Sequence, residues 1–593
     1  MSVSPLVLSP KHAPAPARHA SVSPASAPSR NGSPPSLSTE FWHISQESGC
    51  VPSLQVAYNS KTKQWWGGRL DFPLSEYEQL VDDLPNVLGS PNGGGELDRR
   101  LAELPRLDLF ASKSQQDQQD QQRVNSTRPQ TVHAANCVCC CLYVVVLDST
   151  LKRENAFALF AYLANAFVFS RTSQAQSIAI PPQIAQPLLR LTNWLERMPI
   201  TDYASCVLSN WRLKDLHLGM SLENLDIRHT FTGTEAEKWF YAIHCVIEYQ
   251  GGEAFSSMQH SREVIKTFRM IHKLQGGSEH TALAFQRSVH HANQFSIQRH
   301  TFSTTPATST NTSPSGLKLL TPTMPDPNSS LFVNTCMETC RKVTKDLNTL
   351  ERSIALMRDT ISRLPEHCPA DLFFDQIRPW VSSWPECGVY YADYCSCQSL
   401  SKENELVKCH GASGAQSTLF PCIDAFLGIS YPSSEQARTD LGAFIRQLKQ
   451  FRKSMPPMHR DLIVEFESLA AGNVKDLIAW IAEHVLDLHE LGGETPETVA
   501  KLQDMLELLK SAYNRVIATL VVFRRKHIEF ATGYIKTMAA KRAAAVPSTP
   551  QLSSIPQPGI AVQANKGTGG SDYANHLARH LSDTKQALYK NQD

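Results

Sequence analysis

A histidine lies within the apolar stripe of a long predicted helix near the end of the chain. The residues of this stripe follow one another in steps of three and four, which places them on one helix face: Leu502, Leu506, Leu509, Tyr513, Val516, Leu520, Phe523, His527, Phe530 and Tyr534. Thr495 and Pro496 provide a suitable N-cap and first turn. His527 is therefore either a core histidine with a hydrogen-bonded ring or a ligand of a metal or haem iron, for which neutral imidazole is well suited.

Two charged residues accompany this histidine. Arg524 precedes it by three residues and lies one turn away on nearly the same face. A cation there would repel an imidazolium, so an anion between the two, such as a haem propionate, would explain the pair. Asp424 lies in an otherwise apolar helix, "FPCIDAFLGIS", where pairing with an arginine would account for it. The alternative is a surface pair at a helix end.

Two further stretches combine aromatic and polar side chains. In "EKWFYAIHCVIEY", Phe240 and His244 are four residues apart and share a face, either above a haem pocket or in a plain core. In "DLFFDQIRPWVSSW", Phe373 and Phe374 precede Arg378; on a helix, Phe374 and Arg378 would share a face before Pro379 disturbs the helix. A buried arginine binds a carboxylate through two parallel hydrogen bonds and aromatic rings stack on a planar group, so this set suits an aromatic amino acid. A surface arginine lying over two core phenylalanines is the alternative.

Two loops of small residues could approach a flat ligand closely. The first, "GASGAQS" from Gly411 to Ser417, precedes the helix of Asp424. The second, "KGTGGSD" from Lys566 to Asp572, lacks the spacing of a phosphate-binding loop, and its glycines favour a mobile lid.

The composition is that of an ordinary globular protein. Of 593 residues, 41% are hydrophobic and 19% charged, and the formal net charge of +1 gives no reason to expect nucleic acid or an anionic membrane as partner. No run of about twenty apolar residues predicts a membrane span. The fifteen scattered cysteines favour reduced thiols in a reducing compartment.

Helical patterns dominate the chain, so the predicted fold class is mostly α. Residues 1–40, rich in Ser, Pro and Ala, are predicted to be a disordered tail rather than a mitochondrial transit peptide. Short helices and loops are expected over 41–231 and long helices over 232–546. Two stretches resemble insertions, at about 112–147 and about 277–330. The first contains four cysteines that lack the second pair of a zinc site: Cys137, Cys139, Cys140 and Cys141. A flexible loop over 547–570 precedes a final helix over 571–593.

Taken in order, several stretches resemble the indoleamine 2,3-dioxygenase family from Phe41 onward, apart from the inserts. The matching stretches are "YASCVLSNW", "MSLENLD", "GASGAQS", "SMPPMHRDLI", "RRKHIEFATGYI" and "KGTGGSD". The resemblance implies a small N-terminal helical domain and a large C-terminal helical domain that encloses haem b. It also implies insertion of O2 across the indole C2–C3 bond of L-tryptophan, giving N-formylkynurenine for the kynurenine pathway and NAD synthesis.

The resemblance assigns roles to residues of this chain. His527 matches the proximal ligand of the haem iron, Arg524 and Asp424 the charged pair near a propionate, and Arg378 the residue that binds the substrate carboxylate. The positions that match residues around the indole, the distal pocket and the closing loop are Phe240, Phe373, Phe374, Tyr203, Cys206, Val207, Ser413, Gly414, Thr568, Gly569 and Gly570.

One position departs from the mammalian pattern. His244 falls where the mammalian enzymes carry serine, whereas the related tryptophan 2,3-dioxygenases use a distal histidine. We expect His244 to hydrogen-bond the indole N–H or bound oxygen. The other expected partners are O2, a cellular reductant and further indoleamines. The protein is expected to be a monomer in the cytoplasm. The alternative function is a haem-binding oxygen carrier or sensor of the same fold, and a helical interaction protein without cofactor is a more distant one.

Overall fold

The computed structural model describes residues 41–90, 92–110, 142–171, 177–274, 330–385, 388–392, 408–429, 440–468, 472–491, 495–544, 566–570 and 572–589. Several predicted segments lie outside these residues: the tail, nearly all of the second insert, most of the first insert with its four cysteines, and residues 547–565 of the flexible loop. Residues 37–593 form one compact unit. The division near residue 231 into a small and a large domain stays a prediction.

Helices dominate the described residues, which confirms the predicted fold class. The helices of the first half are α1 (Leu54–Ala57), α2 (Leu74–Asp82), α3 (Leu84–Gly89), α4 (Gly93–Glu103), α5 (Thr150–Phe169), α6 (Pro182–Leu195) and α7 (Glu235–Leu274). Those of the second half are α8 (Ser330–Ser362), α9 (Ala370–Leu372), α10 (Leu419–Leu427), α11 (Asp440–Arg452), α12 (Pro457–Glu467), α13 (Val474–Leu491), α14 (Pro496–Ala531), α15 (Met538–Ala544) and α16 (Tyr573–Gln586). No described helix combines the length and the apolar character needed to cross a membrane.

Short strands form four two-stranded sheets between the helices. The strands are β1 (Tyr58–Asn59), β2 (Gln64–Trp65), β3 (Arg106–Phe110), β4 (Leu142–Val146), β5 (Ile178–Ile180), β6 (Trp211–Leu213), β7 (Leu225–Ile227) and β8 (Val389–Tyr391). β1 pairs antiparallel with β2 and β6 with β7, whereas β3 pairs parallel with β4 and β5 with β8.

Strand β4 lies within the stretch that is predicted as an insert at about 112–147. Arg106 to Phe110 align residue by residue with Leu142 to Val146, so the end of this stretch pairs with the strand that precedes it. The valine-rich run favours a strand because β-branched side chains pack well on a pleated surface. The bounds of the insert stay a prediction.

The long helix α8 packs against both α7 and α14, and residues of all three helices line the candidate site. Helix α14 begins as predicted, since the Thr495 side chain accepts a hydrogen bond from Thr498 N at 3.3 Å and Pro496 follows in the first turn. The predicted apolar stripe of α14 is buried up to Phe523. After Ala531 the chain continues in a π-helical turn, Thr532–Thr537, before α15.

A fully buried histidine makes stability depend on pH. His459 of α12 lies edge-on to Trp42, with ring centroids 5.4 Å apart, and is 0% exposed. Burial first, and then the charge of Arg197, lower the pKa of His459 to about 3. Because the folded-state pKa lies below the ordinary 6.5, the stabilising contribution is complete above pH 6.5 and is lost as the pH falls towards 3.

We expect the urea midpoint to fall between pH 6.5 and 4.5, with the free energy of unfolding losing up to about 1.4 kcal/mol per pH unit from this residue. His459→Leu should flatten that slope, measured against the exposed control His217→Ala. An unchanged slope in His459→Leu would contradict the assignment.

Candidate functional site

A cavity of about 300 Å³ lies among the long helices and is lined mainly by apolar and aromatic side chains. Such a cavity is of the size that binds small organic ligands. The sequence-predicted residues that line it are Tyr203, Phe240, His244, Phe373, Ser413, Gly414, Asp424, Arg524, His527 and Thr568. The structure thus brings together residues that lie more than 350 positions apart in the chain.

His527 presents a neutral imidazole to this cavity. It lies near the end of α14, one turn beyond the buried Phe523 and Arg524. Burial first, and then the charges of His244 and Arg524, lower the pKa of His527 to about 4. At neutral pH the ring therefore keeps a nitrogen lone pair, which is the form that binds a metal ion.

His244 reaches the same cavity from α7. Its Nδ1 lies 2.7 Å from the Phe240 carbonyl oxygen, and because a carbonyl only accepts, Nδ1 is the donor. Burial lowers the pKa of His244. The neutral ring therefore carries its lone pair on Nε2. The Phe240 ring packs against both His244 and Phe373, with centroid distances of 4.6 and 4.9 Å, and so holds the imidazole in place.

Arg524 and Asp424 form a buried ion pair at the cavity wall. Arg524 Nη2 lies 2.6 Å from each Asp424 carboxylate oxygen, and the two residues are 8% and 2% exposed. Arg524 Nη1 also donates to the His580 carbonyl at 3.1 Å and to the Thr584 hydroxyl. The predicted pairing is therefore present, and the surface alternative does not apply. Short contacts of this kind fix the guanidinium plane.

Arg378 is buried but does not line the cavity. It is 1% exposed, so the alternative of a surface arginine is excluded. Its Nη2 donates to the Lys566 carbonyl at 2.5 Å, and its guanidinium lies 5.1 Å from the centre of the Phe374 ring. Burial lowers the pKa of Arg378 to about 10, which leaves the group charged at neutral pH. Arg378 therefore lies behind the loop that begins at Lys566.

Five other predicted residues lie beside the cavity rather than in its lining. They are Phe374, Cys206, Val207, Gly569 and Gly570. Cys206 and Val207 belong to a buried π-helical turn, Ala204–Leu208, that follows Tyr203.

Sequence reasoning missed several polar residues of the site. Tyr573, His576 and His580 of α16 line the cavity, and the spacing of the two histidines by four residues was a usable signal. Glu248 of α7, 0% exposed, accepts a hydrogen bond from Tyr203 Oη at 3.0 Å, and burial raises the pKa of its carboxyl group. The burial of Glu248 could not be predicted, because a glutamate within a predicted helix is not distinguished in the sequence from one exposed to solvent.

The residues of the cavity fit a haem. His527 offers a neutral imidazole, and one such nitrogen suffices to bind a haem iron; His244, His576 and His580 also line the cavity. The aromatic lining suits the apolar macrocycle, and the polar groups around Arg524 suit its carboxylates.

The chain is similar in sequence to several known proteins. A family model described as indoleamine 2,3-dioxygenase matches residues 116–285 and 317–587. The chain is 23% identical over 444 residues to indoleamine 2,3-dioxygenase 1 of Rattus norvegicus, covering 74% of this chain and 80% of that protein. It is 22% identical over 411 residues to indoleamine 2,3-dioxygenase of Saccharomyces cerevisiae, covering 66% and 68%. It is also 24% identical over 196 residues to myoglobin of Haliotis madaka, covering 33% and 43%.

Proposed function

The chain belongs to the indoleamine 2,3-dioxygenase family, and from that membership we propose that it is a haem-dependent enzyme that converts L-tryptophan and O2 into N-formylkynurenine. The observation that carries the proposal is the position of His527. A neutral imidazole in the wall of an aromatic cavity, next to a buried Arg524–Asp424 pair, is an arrangement that can hold a haem.

In this proposal His527 would hold haem b through its neutral imidazole. When bound, ferrous haem supplies the iron that binds O2. The Arg524–Asp424 pair and the neighbouring polar groups would hold the propionates. The family's cytoplasmic setting and a cellular reductant belong to the same proposal, and the buried, unpaired thiols of the described cysteines, such as Cys245 and Cys422, support a reducing compartment.

The protein's contribution to the reaction is to position the substrate. Phe240 and Phe373 offer aromatic faces for the indole ring, and Tyr203, Ser413 and Gly414 complete the wall. We propose that the substrate carboxylate lies at the edge formed by Gly567 and Thr568, which follow the Lys566 carbonyl that Arg378 contacts. The loop over this edge would exclude water and hold the indole in one orientation.

The direct test is turnover by the full chain. The protein is expressed with haem supplied, reduced, and given L-tryptophan with isotopically labelled O2. We expect N-formylkynurenine that carries both labelled atoms, detected by mass spectrometry. A haem-loaded protein that forms no product would overturn the proposal.

His244 is expected to narrow the substrate range. Its Nε2 lone pair can accept a hydrogen bond from an indole N–H, whereas a serine hydroxyl at this position would be too short to occupy the same place. In His244→Ser we expect the preference for L- over D-tryptophan, compared as kcat/KM, to fall by about tenfold. His244→Gln, which keeps a longer polar side chain, is the matched variant. An unchanged preference in His244→Ser would count against this role.

A second candidate function is oxygen binding without useful turnover. The similarity to a protein named myoglobin supports this second candidate function, since that relative shares part of this chain's sequence. An oxygen carrier needs His527 but not Arg378. The two functions therefore differ in what happens when Arg378 is replaced.

A further inference from the structure

The loop from Lys566 to Gly570 is held from outside by side chains that hydrogen-bond its backbone carbonyls. Ser383 Oγ donates to the Thr568 carbonyl at 3.1 Å. His410 Nδ1 lies 2.9 Å from the Gly569 carbonyl and, facing an acceptor, is the donor. Ser383 follows the helical turn that carries Arg378, and His410 precedes the loop of small residues at Gly411 to Ser417. Two separate segments therefore converge on one short loop.

The hydroxyl of Ser383 also joins these segments to each other. It accepts a hydrogen bond from Gly411 N at 3.1 Å while donating to Thr568 O. Its single hydrogen is therefore committed to the loop carbonyl, because its contact with Gly411 uses a lone pair. This orientation is set by groups of the protein and needs no ligand.

The packing around the loop is too close for larger residues. A Cβ atom on Gly411 would lie 2.6 Å from the Thr568 carbonyl oxygen, and one on Gly569 would lie 2.7 Å from Cε1 of Phe451. Phe451 lines the cavity and also packs edge-on against the His410 ring, with centroids 5.4 Å apart. The loop, the His410 ring and the cavity wall thus form one packed unit, with Thr568 at the cavity.

We propose that Ser383 and His410 are positioning residues that clasp the loop 566–570 closed over the cavity. Neither residue lines the cavity, so they act through Thr568 and Gly569. The clasp sets how often the loop opens, and therefore how readily a ligand enters and leaves. Its consequence for turnover rests on the proposed function, but the clasp itself does not.

Trypsin reports on the clasp directly, because Lys566 is a cleavage site inside the loop. Cleavage after Lys566 requires the loop to open and gives a fragment that begins at Gly567. Losing one net hydrogen bond raises the open population about fivefold, and losing two raises it about thirtyfold. We expect Ser383→Ala and His410→Ala each to speed cleavage at Lys566 about fivefold, and the double variant about thirtyfold. Cleavage after Lys63, in an exposed turn, provides the internal reference.

Conservative variants separate a clasp from general destabilisation. Ser383→Thr and His410→Asn keep a hydrogen-bond donor, so trypsin should cleave these variants after Lys566 at a rate close to that of the unaltered protein. His217→Ala replaces an exposed histidine outside the loop and should not change this rate. Ser383→Ala removes one oxygen atom from a half-buried position, so it provides a folded variant even if the double variant fails. The proposal would be overturned if Ser383→Ala and His410→Ala both fold and are both cleaved after Lys566 at a rate within twofold of the unaltered protein.

Steady-state kinetics give the second measurement. If the protein turns over L-tryptophan, the double variant should raise KM by about the same factor as the cleavage rate and change kcat less, because the open loop releases substrate. Proteolysis needs neither haem nor substrate. A clasp without turnover, or turnover without a clasp, would therefore be recognised separately.

Discussion

Replacing His527 with alanine is expected to lower haem affinity by more than about a hundredfold and to reduce product formation to background. The reason is geometric, because His527 is the imidazole that α14 presents to the cavity and its lowered pKa, about 4, keeps it neutral above pH 5. Haem affinity is measured by titrating the unliganded protein and following the visible absorption of the bound group.

Chemical rescue makes this experiment specific. His527→Gly leaves room where the ring was, so added imidazole should restore the spectrum of an imidazole-ligated haem. His580→Ala is the control from the same cavity, since that histidine lines the wall but is not the expected ligand. Retention of the unaltered spectrum in His527→Ala, or its loss only in His580→Ala, would contradict the assignment of His527.

The part of the site that could be predicted from the sequence is the part carried by regular helices. Periodicity placed His527 and Arg524 on one face of α14, and a lone carboxylate in an apolar helix led to the pairing of Asp424 with an arginine. In these cases local spacing decides where a side chain points. Burial then decides the partner, because an isolated charge would be too costly.

The turn around Phe373 shows where that reasoning stops. The sequence was interpreted as a helix in which Phe374 and Arg378 share a face, and their contact is present at 5.1 Å. The chain instead forms a π-helical turn, Phe373–Ile377, followed by a 3₁₀ turn, Arg378–Val381. The wider turn shifts the later residues relative to an α-helix. Phe373 consequently faces the cavity, while Phe374 and Arg378 lie beside it.

The loop contacts could not be predicted from the sequence for a different reason. Ser383 and His410 act on carbonyl oxygens of a loop more than 150 residues away, and any residue type offers a carbonyl. Backbone acceptors leave no pattern in a sequence. The same holds for Glu248, whose burial against Tyr203 depends on how α7 packs.

Replacing Arg378 with methionine is expected to lower kcat/KM for L-tryptophan by about a thousandfold and to leave O2 binding by the reduced protein unchanged. A buried guanidinium that binds a carboxylate through charged hydrogen bonds accounts for about 4 kcal/mol, which corresponds to that factor. Methionine preserves much of the buried volume behind Phe374. Stopped-flow measurement of O2 binding, with steady-state turnover of the same samples, tests both parts.

Tryptamine decides how Arg378 acts, because it carries the indole ring without the carboxylate. If Arg378 binds the carboxylate, Arg378→Met should lower kcat/KM strongly for L-tryptophan and only slightly for tryptamine. If Arg378 acts mainly by holding the Lys566 carbonyl, kcat/KM should fall equally for both substrates, and trypsin should cleave the variant faster after Lys566. An equal loss for both substrates would show that Arg378 positions the loop and does not bind the substrate carboxylate. Full turnover of L-tryptophan in Arg378→Met would contradict both roles. Binding of O2 without turnover in the unaltered protein would favour the function of an oxygen carrier.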